Sequence, residues 1–163
     1  NPKAHLDPIG TFMILFTGFG WGKPVPFNPK YLESPRRDSA LISFAGPISN
    51  IITAIVIALP FRLGLPIFQD KLIFELIITA VSLNIGLAVF NLIPIYPLDG
   101  FRIVGGLLPP SLALRWEMMA PYGIFFLLFL VFIPSSFSLI NGFVIPLSRT
   151  LLTLILGNSV LLF

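Results

Sequence analysis

The chain has 163 residues, 56% of them hydrophobic and 10% charged, and its mean hydropathy is +0.96. A soluble domain of this length cannot hide so much apolar surface in one core, so the composition places the chain in a membrane. Ten Lys and Arg against seven Asp and Glu leave a net charge of +3, too sparse for a nucleic-acid surface, and the lack of cysteine excludes disulfides, thiolate zinc sites and cysteine nucleophiles together.

The chain opens at Asn1 with no initiator Met, basic leader or signal-peptide pattern, from which we expect a segment of the protein to precede it. Residues 8 to 22 are uncharged but too few to cross a bilayer, and they carry Gly10, Gly18, Gly20 and Gly22, which suits a re-entrant or interfacial piece. In Lys23-Pro-Val-Pro-Phe-Asn-Pro29 the alternating prolines forbid a helix and favour an extended segment, and Val25 and Phe27 keep backbone groups that an incoming strand could pair with. Residues 30 to 38 form the charge-dense stretch and belong in water or among headgroups.

Residues 41 to 61 contain no charge and predict a first span, closed by Arg62. Gly46, Asn50, Ala54 and Ala58 recur every fourth residue within it, a ridge of small side chains against which another helix can pack closely. Residues 72 to 98 predict a second span, with Glu75 near enough to its start to reach the interface. Asn84 and Asn91 lie seven residues apart on one face of that helix, where amides are costly unless they meet something other than lipid. Pro94 and Pro97 then remove two backbone donors and distort or end the helix beneath Asp99, leaving the carboxylate on irregular backbone. Two readings of Asp99 follow: an Asp-Gly turn at the interface, or a functional carboxylate in a protein-lined cavity. Asn50 and Asn91 are the amides placed to hold a substrate carbonyl or a water near it.

A third apolar stretch begins near Trp116 and runs through Tyr122 to Ile133 before Pro134 interrupts it. Residues 139 to 163 are apolar with Arg149 in the middle, a poor span and a better interfacial or packed helix. The expected fold is therefore an all-α polytopic membrane protein, with three to four membrane-embedded helices plus a re-entrant and extended element over residues 1 to 40, in one domain. If residues 1 to 40 and 99 to 117 share a side, that side holds Lys3, Lys23, Lys30, Arg36, Arg37, Arg102 and Arg115, against Arg62 and Lys71 opposite, and the positive-inside rule makes it cytoplasmic.

Five blocks of this sequence resemble, in order, those of the site-2 protease family of intramembrane zinc metallopeptidases: Asn1-Pro-Lys-Ala-His-Leu-Asp-Pro-Ile-Gly10, Gly22-Lys-Pro-Val-Pro-Phe-Asn-Pro29, Pro35-Arg-Arg-Asp38, Ala45-Gly-Pro-Ile-Ser-Asn50 and Phe90-Asn-Leu-Ile-Pro-Ile-Tyr-Pro-Leu-Asp-Gly100. The resemblance implies a zinc held by two His of an H-E-x-x-H helix and by Asp99, with the Glu of that motif as general base. It also implies a bacterial-type cell membrane and membrane-embedded or membrane-proximal peptide substrates. The sequence departs from the family in having no H-E-x-x-H; its single His5 is followed by Leu6 and Asp7. One imidazole with carboxylates matches no usual three-ligand catalytic zinc site, so His5, Asp7 and Asp99 do not rebuild one. The chain is thus expected to carry one zinc ligand, Asp99, and no general base, with the missing motif upstream. The rival readings are a pseudoprotease or membrane scaffold that has lost the metal helix, and a small transporter built on the broken second helix.

Overall fold

The computed structural model describes residues 6–8, 11–12, 32–65, 70–132 and 139–157. The chain divides into two compact units, residues 1–32 and 33–163. In the first, the Thr11 amide donates to the Asp7 carbonyl at 2.8 Å, a helical turn following Pro8. His5, Val25 and Phe27, and with them the extended segment 23–29 and most of the re-entrant piece 8–22, lie outside the described residues.

The second unit is helical throughout its described elements. Helix α1, Pro35–Arg62, opens with Pro at a position where the missing amide costs nothing, and the Asp38 carboxylate accepts from the Ser34 amide at 2.9 Å. At about 1.5 Å per residue its 28 residues reach about 42 Å, enough to cross the hydrocarbon and emerge on both sides. A turn at Gly64, whose φ of +67° suits glycine, leads towards α2, Lys71–Asn91. Asp70 caps α2 by accepting from the Ile73 amide at 3.1 Å.

The small-residue ridge packs as expected. Ala54 and Ala58 are buried against a core that includes Val81, Ile85 and Val89 of α2. The outer faces of both helices are equally apolar: Val56 is 61% exposed and Leu76 60%. Helices that are hydrophobic all round have only lipid to face, which is the signature of an all-α membrane protein. Among the described residues two helices are long and apolar enough to cross a bilayer.

The second apolar stretch does not remain one helix to residue 98. Helix α2 ends at Asn91, a run of turns carries Pro94 and Pro97, with the Tyr96–Pro97 peptide cis, and α3, Asp99–Leu107, begins at once. Asp99 therefore occupies the first position of a new helix and not irregular backbone, a place where a carboxylate meets the positive end of the helix dipole. The third stretch is likewise broken. Helices α4, Pro110–Glu117, and α5, Ala120–Phe132, meet at a bend of 60° and together could make a third crossing. After a π-helical turn at Ile140–Val144, α6, Ile145–Leu156, packs on α1 and α2 and is shorter than a span.

Candidate metal-ligand site

The site is built where α3 crosses the first half of α1. Gly106 permits that crossing, because a Cβ there would run into Ala40 and the Arg36 carbonyl. Arg36 also donates to the Leu108 carbonyl just beyond α3, at 3.5 Å. Gly100 has the same purpose on the other side of Asp99: a Cβ on it would collide with the carbonyl oxygens of Leu92 and Ile93. The glycine of the Leu-Asp-Gly block thus lets the new helix start directly against the end of α2.

These close approaches set the half-buried Asp99 carboxylate against α1. Oδ2 lies over Gly46, where an added Cβ would stand 3.1 Å away. Ser43, one turn earlier on the same face, is 4% exposed, and its hydroxyl lies beside the carboxylate without completing a hydrogen bond. Arg102, one turn into α3, is the cation that acts on the carboxylate from its own helix. Pro47 follows Gly46 and removes the amide that would otherwise bond the Ser43 carbonyl.

The structure thus joins Asp99 of one sequence block to Gly46 of another. Asn50 lies one turn beyond Gly46, half-buried, and Asn91 is the half-buried last residue of α2. Asn84 is turned onto its own helix, donating to the Ala80 carbonyl at 2.8 Å. In the sequence Gly46 reads as packing alone, Gly100 as part of the Leu-Asp-Gly block and Trp116 as the start of the third apolar stretch, while Ser43 is not singled out. A Gly-Pro pair inside a span is the sequence feature that marks Gly46.

An aromatic clasp holds the loop in place. The Phe101 and Trp116 rings stack with centroids 4.9 Å apart, Trp116 Nε1 donates to the Phe101 carbonyl at 2.9 Å, and Tyr96 meets Phe101 edge-on at 5.8 Å. Tyr96, Phe101 and Trp116 also line an apolar cavity of about 750 Å³ that continues along Phe126 of α5 and Phe143 of the π turn. An apolar trough therefore flanks the segment that presents Asp99.

Among the described residues no three His, Asp or Glu side chains gather into a metal-binding group. The share of a metal site that this chain offers is one carboxylate, and its surroundings fit that share. Glycine keeps Oδ2 uncovered by side chain on the α1 side, and a buried hydroxyl without a partner stands beside it.

No protein-family model and no solved structure matches the chain. It is similar to the "Putative zinc metalloprotease YwhC" of Bacillus subtilis (strain 168), with 38% identity over 137 residues that take in 80% of this chain and 62% of that protein. The chain spans about three-fifths of the length of this curated relative.

Proposed function

We propose that the protein is an intramembrane zinc metalloprotease of the site-2 type, which hydrolyses peptide bonds of membrane-embedded or membrane-proximal substrates with Asp99 as one of its zinc ligands. The 38% identity to a protein named as a zinc metalloprotease supports this reading most. The ordered resemblance of the five sequence blocks, and the seating of Asp99 against Gly46, agree with it.

Zinc bound at such a site lowers the pKa of a water and polarises the scissile carbonyl. The tasks left to this chain are to hold and to orient. Asp99 supplies a carboxylate from the first turn of a helix whose start is fixed by Gly100. Asn50 and Asn91 offer amides to a substrate carbonyl. Residues 23 to 29 accept an unwound substrate as an added strand, with Val25 and Phe27 pairing through their backbones. Unwinding is required because a helix already has its scissile carbonyls hydrogen-bonded. The apolar trough beside the Asp99 loop suits the side chains of a peptide drawn from lipid. The reading further requires two His ligands and a general-base Glu, which the single His of these residues does not provide.

The test is made in the full-length protein in detergent or liposomes. Asp99→Ala is expected to abolish cleavage and release the zinc while the protein stays folded. Glu75→Ala, an exposed carboxylate at the far end of α2, is expected to leave both intact. Full zinc content and full cleavage in Asp99→Ala would remove Asp99 from the site.

A further inference from the structure

Helix α1 carries four hydroxyl side chains, and three of them are accounted for by their own helix. Ser39 donates to the Pro35 carbonyl, Ser49 to Gly46 and Thr53 to Ser49. Such bonds are the ordinary way for a hydroxyl in an apolar helix to be satisfied. Ser43 does not follow them. It is the most deeply buried of the four, and its Oγ completes no hydrogen bond. A buried hydroxyl left in this state carries a desolvation cost that an alanine would avoid, so its occupation of this position calls for a partner.

Asp99 Oδ2 lies over Gly46, 3.1 Å from where a Cβ would stand and one turn along α1 from Ser43, which brings the carboxylate beside the hydroxyl. Gly46, on the same face of α1, lets Oδ2 approach the helix at this level, and Gly100 and Gly106 hold α3 there. Among the described residues Arg102, one turn into α3, is the cation that acts on the carboxylate. A carboxylate that gives one oxygen to a metal is oriented by a donor that holds its other oxygen. A hydroxyl supplies that donor without adding a charge.

We propose that Ser43 is a positioning residue, whose Oγ–H donates to the Asp99 carboxylate and fixes the oxygen that the carboxylate presents to the metal. The inference rests on the reading of Asp99 as a zinc ligand. Its contact with the chemistry runs entirely through that carboxylate.

The experiment uses the full-length protein, with zinc affinity measured by chelator competition and the cobalt-substituted form followed by its visible spectrum. Ser43→Ala is expected to fold as the parent does, to weaken zinc binding by about 10- to 100-fold and to alter the cobalt spectrum. At saturating zinc its kcat falls while KM holds. Ser43→Thr keeps the hydroxyl and is expected to retain the parent's spectrum. Unchanged zinc affinity and spectrum in Ser43→Ala overturn the inference, as does a Ser43→Thr protein that folds yet loses as much as Ser43→Ala. Asp99→Ala separates the two levels. If it keeps its zinc, the ligand reading falls and Ser43 with it; if it loses the metal while Ser43→Ala binds normally, the positioning role alone falls.

Discussion

Gly100 and Gly46 stand on either side of Asp99, and each is fixed by what a methyl group would meet. At Gly100 the obstacle is backbone, the carbonyls of Leu92 and Ile93, which cannot swing aside as a side chain would. Gly100→Ala must therefore displace the start of α3 or the end of α2. We expect it to destabilise the protein by about 1–3 kcal/mol, the usual cost of forcing an extra carbon into a packed site, and to remove activity as the Asp99 loop shifts. Thermal unfolding in detergent checks the first and a cleavage assay the second. At Gly46 the obstacle is the Asp99 carboxylate itself, 3.1 Å from the position of the new carbon. The carboxylate can yield by a few tenths of an ångström, so Gly46→Ala should leave stability near that of the parent and lower zinc affinity. A Gly46→Ala protein with unaltered metal binding would mean that the seat of Oδ2 on α1 does not set the carboxylate's position.

At the scale of elements, the sequence revealed the spans better than their ends. Residues 41 to 61 could be read because a run without charge has one explanation in a membrane protein, and the ridge at Ala54 and Ala58 because small residues every fourth position mark a helix contact. The limits of α2, α3 and α4 could not be read from hydropathy, since residues 92 to 98 are as apolar as the helix before them. They are set by tertiary contacts: α3 begins where Gly100 touches the Leu92 and Ile93 carbonyls, and α4 is tied back to α3 by Trp116. Pro110 stands in the first turn of α4, and nothing local in the sequence pairs Trp116 with Phe101. Asp99 was legible as a residue through its motif, whereas Ser43 became visible only when α1 and α3 were brought together. The clasp gives a prediction of its own. Trp116→Phe retains the ring stack and loses the bond to the Phe101 carbonyl, at a cost of about 1 kcal/mol. Trp116→Ala loses the stack and the burial of the indole as well, and is expected to cost at least about 2 kcal/mol. Equal unfolding temperatures for the two variants would show that the hydrogen bond alone matters.

For the whole molecule the open quantity is direction in the membrane, and helices α1 to α3 constrain it. Antiparallel passage through α1 and α2 returns the chain to its starting side, and the approach of Gly106 to Ala40, with Arg36 bonded to Leu108, puts the beginning of α1 and the end of α3 at one level. That end of the unit carries Arg36, Arg37, Arg102 and Arg115; the other carries Arg62 and Lys71, with Arg62 donating to the Leu154 carbonyl near the end of α6 at 3.3 Å. Because Lys and Arg near span ends are retained on the cytoplasmic side, the first end, and Asp99 with it, is expected to face the cytoplasm. These 163 residues include no cysteine, so a single cysteine introduced among them is the one thiol they contribute. Cysteines at Arg37 and Leu107, both exposed, should react with an impermeant maleimide only after the membrane is opened, and a cysteine at Leu63, exposed in the turn after α1, should react in intact cells. The reverse pattern would turn the molecule over and put Asp99 on the outer side. Labelling of Arg37 and Leu107 from opposite sides would contradict the packing of α3 on α1, and with it the seat of the carboxylate.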